Sequence, residues 1–200
     1  MKTHVSVTVV IITCNRYDKL RNTIDSLEGQ ENRNFEVIVV IDGSTDGTES
    51  YLRSYTSRLF TLQIINQENQ GKSKARNRGA SHASGELLIF IDDDMILMPG
   101  CIDEHIRHHE NIENSICVGT QEDDPAAIAS DFDYFRYQTG KRWERNINSS
   151  SSIIPYAYTY ITAANFSIPH TVFQNIGGFD NRTDGAEDFD LAARAVRGGV

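Results

Sequence analysis

The first half of the chain alternates nearly continuous apolar runs with segments of helical spacing. Residues 5–13 (VSVTVVIIT), 35–42 (FEVIVVID), 61–66 (TLQIIN) and 86–92 (ELLIFID) are apolar at odd and even positions alike. Such runs predict parallel strands covered on both faces. Between them, Asn15 reads as an N-cap, followed by Leu20, Ile24 and Leu27 on one helical face. Asp46 and Glu49 stand at the spacing of a reciprocal cap, ahead of Tyr51, Leu52 and Tyr55. Over residues 72–84, Ala75, Gly79 and Ala83 form a face of small residues that lets a helix lie close to a sheet. Pro99 suits a first helical turn, with Ile102 and Ile106 inward. Strand–helix alternation of this kind predicts right-handed crossovers and a doubly wound α/β sheet.

The second half has a different pattern. Residues 121–152 are polar, with aromatics at Phe132, Tyr134, Phe135, Tyr137 and Trp143, and residues 146–152 (NINSSSS) read as a mobile loop. Residues 157–168 return to strand character, Gly177-Gly178 is a turn, and 187–197 is a helix. There is no internal repeat and no inter-domain linker, so residues 1–200 read as one domain. It divides into a nucleotide-binding half (1–95) and an acceptor and catalytic-base half (96–200). The ending at Gly198-Gly199-Val200, directly after a helix, reads as a truncation.

Composition narrows the class. At 39% hydrophobic and 24% charged over 200 residues, the chain reads as soluble with a core that needs no staples. No apolar run approaches the ~20 residues that span a bilayer, so no transmembrane segment is expected. The expected location is the cytoplasm, with the inner face of the membrane as a place of work. The three cysteines (Cys14, Cys101 and Cys117) lack metal-like spacing and read as buried thiols. A net charge of −9 argues against nucleic acid as a partner and fits a site built from carboxylates and a cation.

Ligands of open parallel sheets bind beyond the carboxyl ends of the strands. Three polar clusters fall there: Thr13-Cys14-Asn15-Arg16, Asp42-Gly43-Ser44 and Asp92-Asp93-Asp94. An Asp-Gly pair after a strand is ordinarily a turn. The triplet crowds three like charges, which solvent or a cation must relieve, and oxygen-only ligands suit Mg²⁺ or Mn²⁺. A solvated acidic turn or a helix cap is the plainer reading of it. Further on, Asp184 and Glu187 have the spacing of a cap and its reciprocal partner. Asp188 is left without such a job, and Asp190 reads as solvated. The pair His108-His109 reads as surface. A glycine fingerprint for dinucleotides, a Walker loop, zinc spacing and a nucleophile elbow are all lacking.

In order and spacing, VVIITCNR, VVIDGSTDGT, NQGKSKARNRGASHASGELLIFIDDDM, TAANFSIPHTVFQNIGGFD and GAEDFDLAARA resemble glycosyltransferase family 2. The resemblance runs from about Val5 to the C-terminus, with only the stretch from Asp131 to Pro155 lacking a counterpart. It implies a GT-A fold, with a mostly parallel central sheet flanked by helices, and an inverting transfer of sugar from a nucleotide-diphosphate donor. UDP is the preferred nucleotide, and the acceptor a carbohydrate or lipid-linked hydroxyl. It also implies roles. Thr13, Asn15 and Asp42 would line the base pocket, and Gly71 and Arg76 would border the nucleotide. Asp92 would sit near the ribose and, with Asp94, hold Mn²⁺ or Mg²⁺. Asn165, Gly178 and Glu187 would shape the donor-sugar and acceptor side, and Asp188 would be the catalytic base. Two rivals share parts of this pattern. A nucleotidyltransferase would need a glycine-rich basic loop after the first strand, where Thr13-Cys14-Asn15-Arg16 has no glycine. A nucleotide-sugar-binding module without turnover would tolerate a broken triplet or Glu-Asp pair, and both are intact.

Overall fold

The alternation of side chains along strands decides how this protein is layered. In the computed structural model, which describes residues 5–147, 161–183 and 185–200, four parallel strands form the centre. They are β1 (Val7–Thr13), β2 (Phe35–Asp42), β3 (Thr61–Gln67) and β4 (Leu87–Asp92). Two further strands, β5 (Cys117–Val118) and β6 (Asn165–Pro169), complete a sheet of order β3-β2-β1-β4-β6-β5. β6 runs antiparallel to both β4 and β5. The sheet is therefore mostly parallel, as expected, with one reversed strand that the apolar pattern does not reveal.

Odd-numbered residues of β1, β2 and β4 (Val9, Ile11, Val37, Val39, Ile89, Ile91) enter one core. That core is closed by α1 (Tyr17–Leu27) through Leu20, Ile24 and Leu27, by Leu52 of α2 (Thr48–Ser54), and by Ile102 of α4 (Cys101–Asn111). Even-numbered residues face the other way. Val10, Leu88, Phe90, Phe166 and Ile168 pack with Ala80 of α3 (Lys72–His82), Val172 and Phe173 of α6 (His170–Asn175) and Leu191 of α7 (Glu187–Arg197). The small face of α3 has the purpose read for it: a Cβ on Gly79 would lie 2.5 Å from Val10 Cγ1. No larger residue fits between that helix and β1 without displacing one of them.

The chain divides into two compact units, residues 1–118 with 160–200, and residues 119–159. Taken by itself, the second holds a short 3₁₀ turn (Pro125–Ala127) and α5 (Asp131–Ile147). This helix starts where Ser130 Oγ accepts from Asp133 N–H at 3.2 Å and donates to Asp133 Oδ2 at 2.6 Å. Residues 146 and 147 thus belong to a helix. The rest of the expected loop, the first residues of the expected strand at 157–168, and Asp184 lie outside the described residues. Among the described residues, no helix is long and apolar enough to cross a membrane.

Three local expectations are corrected. The N-cap position of α1 is Arg16, and Asn15 adopts left-handed geometry at φ 53. The orphan N–H of Tyr17 is satisfied from another loop, by Asp46 Oδ2 at 2.9 Å. Asp46 also takes Thr48 N–H, while Glu49 pairs with Arg53 instead of reaching back. Pro99 precedes α4, whose N-cap is Gly100.

Candidate active site at the carboxyl ends of the strands

Because β4 ends inside the aspartate triplet, strand alternation sends its members to opposite faces of the sheet. Asp92 goes to the α3 side, where its Oδ1 accepts from Arg76 Nη2 at 2.8 Å. Asp93 turns to the α1 side, where its Oδ2 accepts from Thr13 Oγ1 at 2.7 Å and its Oδ1 lies 3.1 Å from Arg16 Nη1. Asp94, in the turn that follows, meets Arg16 Nη2 at 2.5 Å and Lys19 Nζ at 3.4 Å. The middle side chain is 5% exposed, against 34% for Asp92 and 38% for Asp94. Burial raises the Asp93 carboxyl, Thr13 and Arg16 pull it back, and the net shift is upward. Asp93 is thus an anchor, and its neighbours Asp92 and Asp94 are the more exposed carboxylates of the triplet.

Arg76 is the centre of the α3 side. It is 4% exposed, it pairs through Nη1 with Glu187 Oε1 at 3.0 Å, and its guanidinium carbon lies 5.4 Å from the centroid of the Phe179 ring. Glu187 is therefore not the capping partner read from its spacing. The N-cap of α7 is Ala186, with no side-chain cap, and the carboxylate serves Arg76. Burial acts to raise the Glu187 carboxyl, but its own backbone N–H and the charge of Arg76 outweigh that and hold it below 4.5.

Asp188 follows on the same helix. Its Oδ2 accepts from Ala163 N–H at 3.0 Å, and its Oδ1 is buried without a hydrogen-bond partner among the described residues. Burial raises its carboxyl, Ala163 and Arg76 offset part of the rise, Glu187 and Asp92 add to it, and the net shift is upward. A buried acceptor without a partner is a costly feature in a folded protein. Arg76, Asp92, Glu187 and Asp188 thus form one constellation, although their sequence positions run from 76 to 188.

The expected base-pocket residues are placed as follows. Asn15 is exposed and ties two loops together, its Oδ1 accepting from Thr45 N–H at 2.7 Å. Asp42 is 5% exposed and organises the loop between β3 and α3. Its Oδ1 accepts from Gln67 Nε2 (2.7 Å) and Gln70 N–H (2.8 Å), and its Oδ2 from Gly71 N–H (3.0 Å). Gly71 needs φ +87 to start α3, and a Cβ on it would meet nothing within 4 Å, so its role is one of backbone conformation. Gly178 is buried at φ +64 against Asn77, which clamps the turn by bonding both N–H and C=O of Phe179.

Asn165 is not brought to this constellation. On β6 it shares its face with Ser167, toward α4. Sequence reasoning missed the cluster it belongs to. His105 is 2% exposed, 2.9 Å from Asn165 Oδ1 through Nε2 and 2.8 Å from Ser167 Oγ through Nδ1. His109 Nε2 lies 2.8 Å from the same hydroxyl. An amide oxygen only accepts, so His105 carries its proton on Nε2 and accepts the Ser167 hydroxyl at Nδ1. Ser167 then accepts from His109 Nε2–H, which leaves His109 Nδ1 buried without a partner among the described residues. The pair His108-His109 is thus not surface decoration, and His108 bonds Ser115. The i, i+4 spacing of His105 and His109, one turn apart on one helical face, was the signal available.

Burial, with the neighbouring His108 and His105, pushes the His109 imidazole from 6.5 down to about 4. The folded state then binds fewer protons than the unfolded one between those values, so this residue withdraws stability as pH falls from about 6.5 to 4. We expect His109→Gln to show a flatter loss of melting temperature over that interval than the parent. Parallel curves would show that His109 is not neutral in the fold.

An open α/β sheet with carboxylates and guanidinium groups gathered at its strand ends marks that edge as the place for a polar ligand. The family model described as Glycosyl transferase family 2 matches residues 8–177, and the chain belongs to that family. It is similar to the uncharacterized glycosyltransferase YfnE of Bacillus subtilis, 38% identical over 112 residues, covering 56% of this chain and 29% of that one. The glucosyl-dolichyl phosphate glucuronosyltransferase of Haloferax volcanii is 27% identical over 182 residues, covering 90% and 56%. The fold is GT-A. Its solved neighbours include the mannosyltransferase PcManGT of Pyrobaculum calidifontis in complex with GDP-Man and Mn²⁺ (TM-score 0.74, 20% identity, 97% of this chain and 52% of that one). TarS of S. aureus in complex with UDP-GlcNAc is another (TM-score 0.75, 18% identity, 95% and 53%). The matches of this chain therefore cover between 29% and 56% of the length of these relatives.

Proposed function

We propose that this chain transfers a sugar from a nucleotide-diphosphate donor, UDP-linked by preference, to an acceptor hydroxyl with inversion at the anomeric carbon. Asp188 is the base, and a divalent cation is held by Asp92 and Asp94. The observation that carries this reading is Asp188 itself. It is a carboxylate fixed through one oxygen and free at the other, with its proton affinity raised, in the constellation that contains the first aspartate of the triplet.

The donor set fits the cation. Asp92 and Asp94 are oxygen ligands, and the buried Asp93 holds the turn that presents them. Among the described residues no group of three or more His, Cys, Asp or Glu could hold a metal ion. Mg²⁺ takes one or two carboxylates and completes its shell with substrate phosphate and water. Bound there, the cation would neutralise the charge of the departing diphosphate. The chain's own residues do the rest. Asp188 Oδ1 takes the proton of the acceptor hydroxyl as its oxygen bonds the anomeric carbon, and the bond from that carbon to the diphosphate breaks. One displacement inverts the centre. Arg76 keeps Asp92 and Glu187 in place, and Asp42 fixes the loop that begins α3. The nucleotide-sugar ligands of the solved neighbours and the names of the curated relatives support this reading.

A thermal-shift panel of UDP- and GDP-sugars, with Mn²⁺ and with EDTA, tests it. A donor present at about 100 times its Kd adds ~2.7 kcal/mol to stability. The expected result is a shift with UDP-sugars in Mn²⁺ that Asp94→Ala removes. Equal shifts in EDTA and Mn²⁺ would sink the metal role, and no shift with any donor would sink the proposal.

A further inference from the structure

The carboxylate proposed for the cation already has cationic partners from this chain. The Arg16 guanidinium forks across the triplet, with Nη1 3.1 Å from Asp93 Oδ1 and Nη2 2.5 Å from Asp94 Oδ2, and Lys19 Nζ is 3.4 Å from the same Asp94 oxygen. The two arms of the fork differ. Asp93 is buried and also held by Thr13, so that arm is anchored. At the other arm, Asp94, Arg16 and Lys19 are 38%, 39% and 57% exposed, which makes the contacts weak and exchangeable. The fork is also presented from a pinned backbone. Asn15 on one side is locked to Ser44 and Thr45, and Tyr17 on the other donates its N–H to Asp46.

We infer that Arg16, assisted by Lys19, is a built-in counter-cation that neutralises Asp94 until a divalent cation takes that carboxylate, and that Arg16 keeps its bond to Asp93 throughout. The inference rests on the metal reading above. Its logic is charge balance. Arg76 answers Asp92, Arg16 answers Asp93, and Lys19 with the second arm of Arg16 answers Asp94. Arg76 also pairs with Glu187, and Asp188 lies in the same cluster, so five carboxylates face three cations and the strand end stays acidic by itself. A divalent ion that displaces the exposed contacts brings the site near neutrality and releases Lys19 and the second arm of Arg16 to meet a diphosphate. Arg16 and Lys19 thereby couple cation binding to donor binding.

The test is a titration of Mn²⁺ into the protein without nucleotide, followed by electron paramagnetic resonance of the free ion. Removing a competing cation at a half-exposed pair should tighten Mn²⁺ in Arg16→Gln by roughly fivefold, and Asp94→Asn should abolish the binding. Melting in EDTA should be lower for Arg16→Gln than for the parent, and Mn²⁺ should restore more of it. If Asp94→Asn abolishes binding while Arg16→Gln binds no tighter than the parent, the counter-cation role is overturned and the metal site stands. If neither the parent nor Arg16→Gln binds Mn²⁺ in a way that Asp94→Asn removes, the metal reading falls and takes this inference with it. An Arg16 that is only structural would lower melting without moving Mn²⁺ affinity.

Discussion

Replacing Asp188 by Asn should lower sugar transfer by ~10²–10⁴-fold, the usual worth of a positioned base, and leave donor affinity within a few-fold. The substitution suits the geometry. The amide keeps an oxygen to accept from Ala163 N–H, as Asp188 Oδ2 does at 3.0 Å, so the turn before β6 and the start of α7 stay in register. What changes is the buried second position, where an oxygen able to take a proton becomes an NH₂ group. Binding of donor and transfer of the acceptor proton are separate steps, so the loss belongs in kcat. The pH profile gives a second readout. Burial raises the Asp188 carboxyl, and the base works only when ionised. The parent's rate should therefore rise with pH through a value above that of an ordinary aspartate, and the variant should lack that limb. Asp190→Asn is the control, because Asp190 pairs with Arg194 within the same helix, away from the Arg76 cluster. An Asp188→Asn protein that transfers sugar at the parental rate would show that α7 does not supply the base.

Asp188 also marks where the sequence could be read and where it could not. The helix that carries it is legible to the residue, because Leu191, Ala192 and Ala195 repeat at helical spacing and are buried together. Three of the four parallel strands, β1, β2 and β4, are equally plain, since both their faces are covered, whereas β3 at the sheet edge leaves Thr61, Gln63 and Asn66 exposed. The acidic triplet is visible because three like charges cannot stand at a strand end without a reason. The partners of these groups are not visible. Arg76 and Glu187 are 111 residues apart, Thr13 and Asp93 are 80 apart, and only the closing of the sheet joins them. Asn165 shows the limit most clearly. Its motif places it at the right end of the sheet, but which face it takes depends on the register of an antiparallel strand, Ile91 opposite Asn165. A shift by one residue would have aimed it the other way. Helix α5 escaped for a different reason: its aromatics alternate with charges over Asp131–Ile147, and no apolar stripe announces it.

The network behind Asp188 has the largest expected effect on stability. Arg76→Met should destabilise the fold by about 3–5 kcal/mol, the cost of leaving a buried charge without its partner. At this chain length that corresponds to a fall in melting temperature of roughly 10 °C. Methionine fills similar space and can still pack on Phe179, so the loss reports charge more than volume. Glu187, 7% exposed on its side chain, is the group left stranded. Its pH behaviour identifies the cause. In the parent, the Glu187 carboxyl is held below 4.5, so its contribution is present at neutral pH and is lost as pH falls through that lowered value. Without Arg76, only the backbone N–H of Glu187 and the charge of Lys72 still oppose burial, so the carboxyl rises from its lowered value and protonation relieves the strain as pH falls. The gap in melting temperature between Arg76→Met and the parent should therefore be widest near pH 7 and narrow toward pH 4. Adding Glu187→Gln should recover part of it at neutral pH, because a neutral amide is cheaper to bury than an unpaired carboxylate. Arg76→Lys should fall between, since an ammonium can answer one carboxylate but lacks the planar fork that spans Glu187 and Asp92. A gap that stays constant with pH, or a single variant that melts within a degree or two of the parent, would mean that the Arg76 network holds nothing together and that Asp92 and Asp188 are positioned by backbone alone.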